Sequence, residues 1–98
     1  HIDFFMLVGS LDFLRKEVKD WWKKLPAKYS SADEVAMAVF SIENADWSDD
    51  KETTEAMDVV HERFLQLPPD AEGKWGIYPD ETLPPHQFRL RVFTKCKR

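Results

Sequence analysis

The strongest constraint on the fold is a two-residue alternation near the end of the chain. Between Gln87 and Lys95, apolar residues alternate with polar or basic ones. The apolar members are Phe88, Leu90 and Val92. A period of two lets one face of a β-strand be buried while the other meets water. We predict a strand with these three side chains toward the core and Arg89 and Arg91 away from it, against which the rest of the fold packs.

Two segments have the apolar spacing of amphipathic helices. In residues 11–25, apolar side chains recur every three or four positions between a candidate N-cap at Ser10 and a stop at Pro26. Residues from about 48 to 67 repeat this pattern, with Ser48 or Asp49 as the N-cap and Pro68-Pro69 beyond the end. We predict a helix in each segment.

Three other segments are shorter or ambiguous. Ile2–Val8 is an apolar run whose length favours a buried strand. Trp75–Tyr78 is a short strand candidate, which we expect to pair antiparallel with the final strand as a wide hairpin. Residues 35–44 follow a capping-box spacing, Ser31 to Glu34, and we predict a helix there. If they form a strand instead, the element order becomes βαβα followed by strands.

The predicted fold class is therefore α+β, with two or three helices packed on one face of a small, mostly antiparallel β-sheet. Ninety-eight residues, 43% of them hydrophobic, fit a single domain over residues 1–98. Because the chain begins at His1, an origin in a longer protein stays open.

Cysteine content and hydropathy bear on the compartment. Cys96 is the single cysteine, so no intramolecular disulfide can form, and we expect a cytoplasmic protein. The apolar run Phe4–Val8 is far shorter than the ~20 residues of a membrane span, so we expect no membrane contact.

Charge is unevenly distributed along the chain. Residues 33–62 carry ten carboxylates and one lysine, whereas residues 86–98 carry five basic residues and no acid. We expect the two regions to attract each other, within the fold or between two copies. Together with the high aromatic content, this leads us to hypothesise a homodimer.

Three sets of side chains are candidates for chemistry. Asp58, His61 and Glu62 lie close together on the second predicted helix, where a carboxylate beside a histidine suits a general base. A second histidine at zinc-binding spacing is absent, and we predict no metal and no cofactor. A solvated helix face is the alternative interpretation of this set.

The second set lies on the final strand, where basic residues alternate with an aromatic ring. Its members are Arg89, Arg91, Phe93 and Lys95. This combination is typical of single-stranded nucleic-acid binding, but a net charge of −4 opposes it, so we expect no such binding. The third set comprises the aromatic candidates for a ligand pocket: Trp21, Trp22, Trp75 and Tyr78.

No motif in the chain identifies a function. The interpretation we favour is a small non-catalytic binding or interaction module that acts on a protein partner or on a small ligand in an aromatic-lined pocket. The first alternative is a small enzyme that uses Asp58, His61 and Glu62, with or without the help of a divalent metal. The second is single-stranded nucleic-acid contact through the basic final strand.

Overall fold

The computed structural model describes residues 2–26 and 29–97. Its elements in chain order are β1 (Ile2–Gly9), α1 (Leu11–Glu17), β2 (Val35–Asn44), α2 (Asp50–Phe64), β3 (Glu72–Pro79) and β4 (Phe88–Cys96). Single turns of 3₁₀ helix cover Trp21–Lys24 and Ala32–Glu34. Two helices pack against one four-stranded mixed sheet, which confirms the predicted α+β class.

The strand order in the sheet is β1-β4-β2-β3. β4 runs antiparallel to both of its neighbours, whereas β2 and β3 are parallel. The predicted hairpin between β3 and β4 is therefore wrong, because β2 lies between these two strands. A parallel pair needs a crossover connection, and α2 provides it between β2 and β3.

The predicted orientation of β4 is confirmed. Phe88, Leu90 and Val92 are at most 1% exposed, whereas Arg89 and Arg91 are half-buried on the opposite face. The buried side of β4 continues into β2 through the register pairs of Val92 with Phe40 and Leu90 with Ile42. Both helices cover this side of the sheet, and all these residues belong to one hydrophobic core.

The helix predicted for residues 35–44 is wrong, since this segment is the inner strand β2. Burial alternates along it at Ala38, Phe40, Ile42 and Asn44, which is the period of a strand. The capping residue before this segment, Ser31, caps a 3₁₀ turn and not an α-helix. The Ser31 side chain accepts a hydrogen bond from the Asp33 backbone N–H and starts only one 3₁₀ turn, so the β-branched and aromatic residues that follow enter the sheet.

The helix predicted over residues 11–25 is shorter than expected. α1 ends at Glu17, and the chain resumes as a 3₁₀ turn from Trp21. The buried Arg63 of α2 donates hydrogen bonds to the backbone carbonyl oxygens of Val18 and Lys19, at 3.5 and 3.3 Å. These bonds satisfy carbonyl groups that the helix end releases. The predicted apolar face is nevertheless preserved across the break, since its buried members are Leu11, Leu14, Val18, Trp21 and Leu25.

The first strand is confirmed as a strand but not as a buried one. β1 lies at the edge of the sheet, and only one of its faces meets the core. Asp3 on that face is 2% exposed, while Phe4 and Met6 on the other face are 43% and 48% exposed. An inward-pointing charge such as Asp3 is one device that protects an edge strand from uncontrolled pairing.

The second predicted helix is confirmed as α2. Asp49 is its N-cap, and its carboxylate accepts a hydrogen bond from the Glu52 backbone N–H at 3.0 Å. Ala56, Val59 and Val60 are buried against the sheet. In residues 2–26 and 29–97, no helix has the length and apolar character needed to cross a membrane.

Adjacent substitutions on β4 test the assignment of its two faces. We predict that Leu90→Ala lowers the free energy of unfolding by about 2–5 kcal/mol, because it leaves a cavity in the core. Arg91→Gln, on the open face, is expected to cost about 1 kcal/mol or less. Urea denaturation of both variants measures the difference, and equal losses would contradict the assigned orientation.

Candidate functional site

The face of the sheet that the helices leave uncovered is the most distinctive surface of the molecule. The register places four rows of side chains across it. The second row runs from Phe4 through Phe93 and Val39 to Lys74. We call this surface the open face. It is a consequence of the fold, because both helices pack on the other side.

Apolar side chains form a continuous strip along the β1 side of the open face. We define the apolar strip as Ile2, Phe4, Met6, Val8 and Phe93, which are between 36% and 61% exposed. The rings of Phe4 and Phe93 lie 4.8 Å apart between centroids, so the strip is already packed across two strands. Isolated exposed apolar residues are ordinary, but a contiguous set on one face is typical of an interaction surface.

An ion-pair cluster borders the apolar strip on β4 and β2. Arg89 contacts the carboxylates of Asp80 and Glu43 at 2.6 and 3.2 Å. Arg91 contacts Glu43 through Nε at 2.9 Å. Arg89 and Glu43 are 20% and 12% exposed in their side chains, so this cluster is partly desolvated. The expected attraction between the acidic and the basic regions therefore occurs within the fold.

The pKa of Asp80 depends on this cluster and on the turn beside it. The hydroxyl and the backbone N–H of Thr82 donate hydrogen bonds to its carboxylate at 2.5 and 3.0 Å. These bonds, followed by the bond from Arg89, lower the pKa of Asp80 from 3.8 to about 2. In return, the hydrogen bond to Asp80 raises the pKa of the Arg89 guanidinium.

The candidate residues for nucleic-acid contact share the open face. Arg89, Arg91, Phe93 and Lys95 alternate along β4 on the side away from the core. The charges of Arg89 and Arg91 are already balanced by Glu43 and Asp80, so their guanidinium groups are engaged within the protein. Phe93 belongs to the apolar strip.

The candidate catalytic set lies on the solvent side of α2. Asp58, His61 and Glu62 are all exposed. Glu62 pairs with Arg63 at 2.8 Å. Among the described residues, no hydrogen bond or ion pair joins the side chains of Asp58 and His61, and no group of three or more His, Cys, Asp or Glu side chains is placed to hold a metal ion.

The four aromatic candidates for a ligand pocket are distributed over different parts of the molecule. Trp21 is fully buried, and its indole N–H donates to Gln66 at 3.2 Å, while Trp22 packs edge-on against it. Trp75 pairs in register with the core residue Phe40, whereas Tyr78 pairs with Glu43 on the open face. Tyr78 folds back over Gly76, where a Cβ would come within 2.7 Å of its hydroxyl. The two residues of β3 thus lie on opposite sides of the sheet.

A second feature lies at the end of β2, where the connection between β3 and β4 passes over it. A half-open cavity of about 330 Å³ is lined by Asn44, Ala45, Asp46, Asp49, Glu52, Pro85 and His86. His86 contacts Glu52 across its mouth, with 2.7 Å between Nδ1 and Oε2.

Sequence reasoning did not find the apolar strip, the Arg89 cluster or the His86 contact. The strip was hidden because both faces of β1 are apolar, so the run from Ile2 to Val8 shows no alternation. The one polar residue, Asp3, would have placed the odd-numbered face in solvent, whereas the structure buries Asp3 and exposes the even-numbered residues. The contacts of Arg89 with Glu43 and of His86 with Glu52 join residues far apart in sequence. The first follows from the register of β2 against β4, and the second from the packing of the β3–β4 connection on α2.

Comparison with known proteins supports the fold assignment. No protein-family model matches the chain, and no curated protein matches it. Among solved structures, the chain is similar to the FtsZ dimer of M. jannaschii, with 20% identity over 95% of this chain and a TM-score of 0.65. A TubZ protofilament structure from Bacillus thuringiensis serovar israelensis also matches over 95% of this chain, with 10% identity and a TM-score of 0.48.

These comparisons concern only part of each of the larger proteins. The match covers 26% of the FtsZ chain and 24% of the TubZ chain, so this chain spans about a quarter of their length. At 20% identity the FtsZ likeness shows a shared fold alone.

The pKa of Asp80 provides a test of the cluster that borders the strip. Because its pKa is lowered in the folded state, Asp80 stabilises the protein above pH about 4, and this contribution is lost as pH falls toward about 2. We predict that Thr82→Ala raises this pKa more than Arg89→Met does, since the Thr82 hydroxyl is the largest cause of the shift.

Carboxyl ¹³C NMR titration of the three proteins measures the Asp80 pKa directly. A native midpoint near the ordinary value of 3.8 would contradict the contacts assigned to Asp80. A larger effect of Arg89→Met than of Thr82→Ala would contradict the order of their contributions.

Proposed function

We propose that the domain is a non-catalytic protein-association module that binds a second copy of itself through the apolar strip. The observation that carries this proposal is the contiguous exposure of Ile2, Phe4, Met6, Val8 and Phe93 on a face without helices. Burying exposed apolar surface is the main favourable term in most protein association.

The size of the strip supports a weak or moderate dimer. At these exposures the five side chains present roughly 400 Å², within the range of the largest apolar patch on a typical monomer. Two strips in contact would bury about 800 Å², and a stable interface needs about 1,200–2,000 Å² in total. The remaining buried area would come from the polar part of the open face.

The charge pattern favours a second copy over a strongly charged partner. No member of the strip is charged, so two strips can meet without juxtaposing like charges. Beyond the strip, the open face carries both signs, with Lys95 and Glu72 in one row across β2 and Lys74 in the next row. Such a surface can complement itself across a two-fold axis, which is the commonest symmetry of homo-oligomers.

Two further considerations belong to the proposal. The M. jannaschii FtsZ structure whose fold this chain shares is described as a dimer, and we carry only the idea of self-association to this chain. We place this association in the cytoplasm because the chain has one cysteine and offers no intramolecular disulfide.

Sedimentation equilibrium tests this function with two matched methionine substitutions. We predict a dimer with a dissociation constant of about 10–100 µM, at the weak end of the range for interfaces of this size. Met6→Glu, which places a charge in the strip, is expected to yield a monomer. Met57→Glu is the control, because Met57 is also exposed but lies on α2, away from the open face.

Ionic strength distinguishes apolar burial from attraction between opposite charges as the source of association, since salt screens only the charges. If apolar burial drives association, raising salt from about 0.05 to about 0.5 M leaves the dimer unchanged or strengthens it. A native protein that stays monomeric at about 200 µM contradicts the proposal. Equal effects of the two methionine substitutions contradict the choice of surface.

A further inference from the structure

The connection between β3 and β4 crosses the carboxyl end of β2. We call residues 80–87 the strap. Its first residue, Asp80, donates its backbone N–H to the carbonyl oxygen of Asn44 at 2.9 Å. Leu83 in its middle is only 6% exposed, so the strap is anchored by an apolar side chain as well as by hydrogen bonds.

Beyond Leu83 the strap leaves the core and covers the cavity at the end of β2. Pro85 and His86 form one wall of this cavity, while Asp46, Asp49 and Glu52 lie on the opposite side at the start of α2. Among the described residues, the His86 side chain, which is 78% exposed, makes its hydrogen bond and ion pair with Glu52. This contact joins the strap to α2.

His86 has an uncommon backbone conformation, in the turn that ends the strap. Its φ is +62°, and it is the only non-glycine residue with a positive φ among the described residues. Asparagine, aspartate and histidine adopt this region more often than other non-glycine residues, although it is uncommon for all of them. The turn hydrogen bond from the Gln87 backbone N–H to the Pro84 carbonyl oxygen, at 3.2 Å, spans His86, and the contact with Glu52 adds to it.

The charges around the imidazole are all negative. Glu52 and the N-cap Asp49 face it from α2, and Asp46 lines the same cavity from the segment before that helix. Asn44, which is buried and uncharged, donates a hydrogen bond to Glu52 at 3.4 Å and orients its carboxylate. The strap itself carries two acids, Glu81, which is exposed, and Asp80, which is engaged by Arg89.

We propose that the strap is a pH-dependent latch, closed over the cavity when a protonated His86 contacts Glu52 and released when His86 loses its proton. A neutral imidazole can still donate one hydrogen bond to Glu52, so release is a shift of the opening equilibrium and not a complete break.

The direction of the pH dependence follows from the contact. The hydrogen bond with Glu52, and then its charge, raise the pKa of His86 above 6.5 in the closed form. A group whose pKa is raised stabilises the closed form below the ordinary pKa, and this stabilisation is lost as pH rises through the raised value. The latch is therefore closed in mildly acidic solution and opens toward mildly alkaline solution.

Amide hydrogen exchange of the full chain tests the latch. The backbone N–H of Asp80 donates to Asn44 of β2, and that of Gln87 closes the turn that contains His86, so the protection of these two groups reports opening of the strap. We predict that their protection in the native protein, divided by that in His86→Asn, falls several-fold from pH about 5 to about 8, where histidine titrates. Asparagine tolerates a positive φ and does not titrate, and the division removes the intrinsic pH dependence of exchange.

A second variant and a second measurement complete the test. His61→Asn, on the exposed side of α2, is expected to keep the native pH profile. Imidazole NMR titration is expected to give a lower His86 pKa in Glu52→Gln than in the native protein. The latch is contradicted if native and His86→Asn proteins share one pH profile, or if Glu52→Gln leaves the His86 pKa unchanged.

Discussion

The structure depends on the antiparallel pairing of β4 with β2, the two inner strands of the sheet. Each strand sends alternate side chains to opposite faces, so this pairing sets what both faces carry. On one side Leu90 lies opposite Ile42 in the core, and on the other Arg89 lies opposite Glu43 in the ion-pair cluster. A shift of one residue would exchange these sets and place arginine side chains in the core.

The two faces of the sheet therefore have different roles. The helices cover one face. At the break after α1, Arg63 donates hydrogen bonds to carbonyl groups that the helix end leaves without partners. The other face keeps its charges balanced near the middle of the sheet and leaves the apolar strip uncovered along β1. The proposed association uses the part of the molecule that the chain itself does not bury.

The parts of the fold that could be predicted from the sequence are those with one strong periodicity. β4 alternates cleanly between apolar and basic residues, and α2 combines an N-cap at Asp49 with a helical apolar face. Residues 35–44 were assigned wrongly to a helix, because a central strand is apolar on both faces and resembles a helix of the same length. The parallel pairing of β3 depends on long-range packing, which no local pattern records.

The same reasoning explains what could be predicted about the candidate site. Aromatic content suggested that apolar surface would be left exposed, but the location of that surface follows from the edge position of β1. The candidate sets on α2 and on the tryptophans came from spacing along one element. The structure places Asp58 and His61 in solvent and Trp21 in the core.

The three methionines provide the most direct measurement of the central claim, since each reports on a different surface. Met6 lies in the apolar strip, Met37 lies farther across the open face on β2, and Met57 lies on α2. In NMR spectra of the protein with ¹³C-labelled methionine methyl groups, recorded as concentration rises, the account predicts a large shift for Met6, a smaller one for Met37 and none for Met57. A shift confined to Met57, or no shift at any methionine up to about 200 µM, would contradict it.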